Sequence, residues 1–162
     1  MDADDISQII FLLILLALSA FFSSSETALT TVNKIRMRTL AEAGNKKAEK
    51  VLKVTENSPK MLSAILIGNN IVNLSASSLT TSLAIKLFGS VGAGVATGIL
   101  TFLILIFGEV SPKTLATIKA DRISLSIAGF ISVLMVVLTP VIFIINKLSL
   151  GVIFLFGIRQ FR

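Results

Sequence analysis

The chain has 162 residues, 54% of them hydrophobic and 15% charged, with no Cys, His, Trp or Tyr and a formal net charge of +6. A soluble domain this small cannot cover so much apolar surface, and lipid is the natural solvent for the excess. The absence of Cys excludes a disulfide framework, the absence of Cys and His excludes thiolate and imidazole metal sites, and the basic residues are too unevenly placed for a nucleic-acid surface.

Residues 6–29 open with an apolar run long enough, at ~1.5 Å rise per residue, to cross a ~30 Å hydrocarbon core. Asp2, Asp4 and Asp5 precede it, the wrong charge for a secretory signal, and no small-residue cleavage site follows cleanly. It reads as a retained span. A second span covers about 61–87 and a third about 91–110, separated only by Phe88-Gly89-Ser90, a tight turn that predicts an antiparallel hairpin. Between the first two spans, residues 34–60 hold Lys34, Arg36, Arg38, Lys46, Lys47, Lys50, Lys53 and Lys60, eight of the 15 basic residues. Interspersed apolar positions predict short amphipathic juxtamembrane helices over about 33–58, divided at Gly44-Asn45 and ended by Asn57-Ser58-Pro59. By the positive-inside rule this segment is cytoplasmic and the acidic N-terminus lies outside. Lys113, Lys119 and Arg122 then fall on the inside as well.

Residues 123–158 are apolar almost throughout, with Pro140 near the middle and Asn146-Lys147 beyond it. Arg122 flanks one end and Arg159 and Arg162 the other, so both flanks are cytoplasmic and the number of crossings is even or zero. Two spans turning at Thr139-Pro140 fit, and so does a bent helix pair over about 113–160 that lies along the inner leaflet as a belt. The non-crossing version is favoured because Lys147, far from either flank, must snorkel to reach water.

Three polar clusters interrupt the apolar background: Ser23-Ser24-Ser25-Glu26-Thr27; Gly68-Asn69-Asn70 with Asn73, Ser75, Ser77 and Ser78; and Gly108-Glu109-Val110-Ser111-Pro112-Lys113. Asn69 and Asn73 share a helical face, and Ser77 extends the stripe. Interhelical hydrogen bonding is the ordinary use of such residues, but three Asn within five positions favour a hydrated or ion-binding cavity. Glu26 and Glu109, near hydrocarbon, mark a functional site by default; both sit near the expected cytoplasmic boundary, so interfacial solvation or pairing with Lys34, Lys113 or Lys119 is the alternative. Pro112 lacks the N–H that an α-helix would give to the Gly108 carbonyl, so that carbonyl is freed. Hydroxyl, amide, backbone carbonyl and carboxylate are hard oxygen donors, suited to Mg²⁺, Ca²⁺ or Na⁺. Gly94 and Gly98 give the third span a smooth face, either a dimer seam or the contact to the second span.

Together the clusters resemble the transmembrane domain of the CorC/CNNM family of magnesium transporters. The resemblance rests on Phe21-Phe22-Ser23-Ser24-Ser25-Glu26-Thr27-Ala28-Leu29, Ile67-Gly68-Asn69-Asn70-Ile71-Val72-Asn73 and Phe107-Gly108-Glu109-Val110-Ser111-Pro112-Lys113, in that order, and spans essentially the whole chain. It implies a single all-α membrane domain over residues 1–162. Three transmembrane helices, cytoplasmic-side juxtamembrane helices and a non-crossing, belt-like C-terminal segment would form it, in a plasma-membrane homodimer. It implies a dehydrated Mg²⁺ held by Ser23, Ser25, Asn70, the Gly108 carbonyl and Glu109, with Asn69 and Glu26 close by, and Mg²⁺ export in exchange for Na⁺. Family members usually continue into paired CBS domains that bind nucleotide. This sequence ends at Arg162 without them, so nucleotide enters only through a part not contained in it. The rival reading is a membrane anchor and dimerisation module whose polar residues only pack helices. An intramembrane enzyme is not supported, since Ser25 beside Glu26 lacks a base-and-orienter arrangement.

Overall fold

The computed structural model describes residues 2–157, and no strand occurs among them. Helix α1 runs Ala3–Thr31 and begins in a capping box: the Asp2 carboxylate accepts from the Asp5 N–H at 3.0 Å, and Asp5 accepts from the Asp2 N–H at 3.4 Å. It therefore starts ahead of the apolar run, and takes Asp4 and Asp5 into its first turn, where negative charge suits the helix dipole.

Helices α2 (Lys34–Glu42) and α3 (Lys46–Glu56) follow, each capped by an Asn side chain, Asn33 to the Arg36 N–H and Asn45 to the Ala48 N–H. Gly44, at φ +96°, closes α2: its N–H reaches the Ala41 carbonyl and the Asn45 N–H the Leu40 carbonyl. Ala48, Val51 and Val54 of α3 are buried, while its lysines stay in solvent.

Helix α4, Ser58–Leu103, is two arms broken at Gly89, where φ 78° and ψ −176° leave the helical region. The break reverses the chain. On one straight helix Asn73 and Gly108 would lie about 50 Å apart, yet both touch Ser19 of α1. The second arm passes into a π-helical segment, Ile104–Val110, and then α5, Ser111–Ile118.

Helix α6 (Ala120–Val137) buries Ser124, Ala128, Ile131 and Met135 on one face, against α3 and α1. Phe130 meets Phe21 edge to face, with ring centroids 5.1 Å apart. Helix α7 (Thr139–Leu155) buries only Ile142, and its Lys147 ammonium lies 4.9 Å from the centroid of the Phe143 ring. Arg159, Arg162 and the end of the expected belt lie outside the described residues.

Three helical stretches are long and apolar enough to cross a membrane: α1, the folded stretch Ser58–Ile118, and α6. Ile10, Phe11, Leu13 and Ile14 on α1, and Val95, Ile99 and Phe102 on the second arm of α4, are exposed, as a lipid-facing surface requires. The protein is an all-α integral membrane protein. Helix α1 lies at its centre, against α4, the π-helical segment, α5 and α6.

Candidate cation site

The polar residues singled out in the sequence fall along a seam between α1 and its neighbours. The Ser19 hydroxyl donates to Asn73 Oδ1 at 2.9 Å, which fixes the register between α1 and the first arm of α4. Gly108 completes this level: a Cβ there would stand 3.1 Å from Ser19 Oγ and 3.4 Å from Ser19 Cβ. A side chain at this position would require Ser19 to give by a few tenths of an ångström.

One helical turn further along each helix, Ser23 follows Ser19 and Asn69 precedes Asn73. Ser23 is fully buried, and its hydroxyl has no hydrogen-bond partner among the described residues; Asn69 Oδ1 is likewise buried and unpartnered among them. Buried polar atoms are nearly always satisfied, and leaving one unpaired costs roughly 1–3 kcal/mol. Ser23 Oγ and Asn69 Oδ1 can each accept from a donor or a cation; Thr80 Oγ1 and Ser124 Oγ are buried and unpartnered in the same way among the described residues. Phe22 packs over Gly68 here, where a Cβ would lie 2.6 Å from its Cζ.

The other expected ligands are placed less centrally. Ser25 is fully buried, and its hydroxyl donates back to the Phe21 carbonyl at 2.7 Å, leaving its lone pairs available. Ser24 Oγ lies 3.4 Å from the Pro112 carbonyl oxygen, tying α1 to α5. Glu109 is half-buried and sits 3.6 Å from the Lys113 ammonium, the pairing that offered an alternative to a cation ligand. Glu26 is half-buried and forms no ion pair among the described residues. Asn70 is exposed, whereas Asn69 beside it is half-buried.

The register at Pro112 differs from a simple α-helix. The Ser111 N–H bonds to the Ile106 carbonyl, five residues back. Pro112 has no N–H for Gly108, its α-helical acceptor, or for Phe107, its π-helical one. The stripe above Asn73 also differs from expectation: Ser77 is exposed, and Ala76 and Thr80 are buried instead. Gly94 and Gly98 have nothing within 4 Å of a would-be Cβ, so their face is not the contact to the first arm.

Two residues escaped the sequence reading. Lys86 Nζ lies 2.8 Å from Asp5 Oδ1, closing the far end of the seam between α1 and α4. A single lysine in an otherwise uncharged run was the signal available. Ser19 was the other, legible only as the i−4 neighbour of Ser23.

Among the described residues no cluster of three or more His, Cys, Asp or Glu could hold a metal. The oxygens along the seam are those of hydroxyl, amide and backbone carbonyl groups, hard donors of the class that Mg²⁺, Ca²⁺ and Na⁺ accept.

The family described as the cyclin M transmembrane N-terminal domain matches residues 9–162. A UPF0053 protein of Haemophilus influenzae is 40% identical over 160 residues, covering 98% of this chain and 38% of the relative. The UPF0053 inner membrane protein YfjD of Escherichia coli is 36% identical over 142 residues, covering 88% and 33%. A chloroplastic DUF21 domain-containing protein of Arabidopsis thaliana is 35% identical over 153 residues, covering 94% and 23%. The chain thus spans well under half the length of these relatives.

Proposed function

The chain belongs to the family of cyclin M transmembrane N-terminal domains, and on that premise we propose that it carries Mg²⁺ across the membrane through the α1–α4 seam. The single observation behind this reading is the pair of buried, unpartnered oxygens, Ser23 Oγ and Asn69 Oδ1. The Gly108 carbonyl, deprived of its α-helical donor by Pro112, and the lone pairs of Ser25 add to the donor set. Glu26 and Glu109 lie at the end that leads to the basic helices and supply the negative charge that attracts the ion; Glu109 must exchange Lys113 for it. Export, with Na⁺ as the exchanged ion, completes the reading and follows from the family resemblance. No catalytic step is part of it.

In this reading α2 and α3 are cytoplasmic and the N-terminus is outside, in the cell membrane. Helix α6 is apolar and long enough to cross, but it packs on the basic amphipathic α3, which supports a position at the membrane boundary. A homodimer supplies the cover for exposed Asn70 and brings it to the ion.

The anchor reading has its own support in the Ser19–Asn73 bond, which is interhelical glue of the usual kind. Calorimetric titration of the detergent-solubilised protein with Mg²⁺ separates the two. Saturable binding lost in Asn69→Ala and Asn70→Ala supports transport. Absence of binding in the folded wild type leaves the anchor.

A further inference from the structure

We propose that the cavity where α1 runs into α2 and α5 into α6 binds an anionic phosphate group, carried by a phospholipid headgroup or by soluble phosphate. This cavity is separate from the α1–α4 seam and does not depend on the transport reading. Its volume is about 410 Å³, and Arg36, Lys119 and Arg122 all line it. That volume falls within the range of ligand pockets, roughly 300–1,000 Å³.

The one carboxylate in the cavity is already committed. Asp121 Oδ2 accepts from Arg36 Nη1 at 2.9 Å, and its Oδ1 accepts from the Asn33 N–H at 2.9 Å. This clasp holds the start of α2 against the start of α6 and shapes the cavity. Lys119 and Arg122 are exposed and form no ion pair among the described residues. Three cations face one carboxylate, so two positive charges remain for a ligand. Arg36 keeps part of its donor fork free, since its side chain is 65% exposed despite the bond to Asp121. Thr31 adds a hydroxyl at the rim, while the Thr117 hydroxyl is committed to the Lys113 carbonyl at 2.9 Å. The cavity sits where a transmembrane helix meets a basic surface helix, the level of lipid headgroups, and basic pockets at this level take anionic heads.

A diffuse attraction of all cytoplasmic lysines for acidic lipid is the competing account, and a charge-matched control separates it. The full chain, purified in neutral detergent, is titrated with phosphatidylglycerol against a phosphatidylcholine background, and retained lipid is read by native mass spectrometry. A parallel titration uses inorganic phosphate. Lys119→Gln with Arg122→Gln should weaken phosphatidylglycerol retention by about tenfold or more. Lys46→Gln with Lys47→Gln, which removes the same charge from exposed positions on α3, should leave it unchanged. Both pairs spare the Arg36–Asp121 clasp, and circular dichroism verifies that they fold. Saturable binding of inorganic phosphate alone, lost in the first pair, assigns the same site to a soluble phosphate. Equal loss in both pairs, or no retention of either ligand by the wild type, overturns the proposal.

Discussion

Ser19 and Asn73 are joined across α1 and α4 by a 2.9 Å hydrogen bond, and Ser23 Oγ and Asn69 Oδ1, one turn along, have no hydrogen-bond partner among the described residues. The two levels of the seam should therefore respond oppositely to the same chemical change. Ser19→Ala strips Asn73 of its donor and should lower stability by about 1 kcal/mol, since interhelical hydrogen bonds in membranes average ~0.6 and reach ~1.7 kcal/mol. Ser23→Ala removes a buried hydroxyl that has no partner, so stability should hold or rise while Mg²⁺ binding falls. Thermal unfolding in detergent and Mg²⁺ titration read the two effects. If Ser23→Ala destabilises as much as Ser19→Ala and binds Mg²⁺ normally, Ser23 is structural.

Gly108 is pressed against that same bond. A Cβ at Gly108 would come 3.1 Å from Ser19 Oγ, so Gly108→Ala must push Ser19 or the π-helical segment aside. The expected loss is about 1–3 kcal/mol, the usual range for overpacking a filled contact. Because both substitutions act through Ser19, the double variant Ser19→Ala/Gly108→Ala should lose less than the sum of the two. Strict additivity in the melting data would place the strain elsewhere.

What the sequence disclosed here was local. Gly89 between two apolar runs announced the reversal, Gly44-Asn45 and Asn57 announced helix ends, and Ser23, Asn69 and Gly108 drew notice as polar or small groups in apolar surroundings. These are properties of a residue and its near neighbours. Pairings between helices depend on register, and periodicity on one helix does not fix the register against another. That is why Ser19–Asn73 and Asp5–Lys86 were invisible, and why Asn70 was expected among the ligands with Asn69 only close by, although the fold buries the Asn69 carbonyl oxygen and exposes Asn70. The π register at Ile104–Val110 was hidden for a related reason: Pro112 signals a missing donor but not which carbonyl it fails.

Asp5 and Lys86 close the seam at the end away from the basic helices, 2.8 Å apart, with the Asp5 side chain 4% exposed and that of Lys86 47%. The asymmetry in exposure sets the order of effects. Lys86→Met leaves the enclosed carboxylate without its cation and should lower the melting temperature more than Asp5→Asn, which leaves an ammonium that can turn to solvent. Asp5→Asn/Lys86→Met should recover part of the loss, because neither charge is then stranded. A double variant less stable than Lys86→Met would mean that the two side chains serve separate contacts.

Gly89 and Gly98 lie on the same hairpin but should answer substitution differently. Gly89 adopts φ 78° and ψ −176°, a region open essentially to glycine alone, so Gly89→Ala strains the reversal whatever the space around it, by about 1–3 kcal/mol. Gly98 is helical with nothing within 4 Å of a would-be Cβ, so Gly98→Leu costs the single chain little. Its face, with Gly94, Val95, Ile99 and Phe102, is an apolar surface open to lipid or to a second subunit. If two copies meet there, Gly98→Leu props them apart, and native mass spectrometry in detergent should show dimer turning to monomer with helicity kept. A dimer that survives Gly98→Leu at wild-type proportion would move the interface to another face, and with it the cover proposed for Asn70.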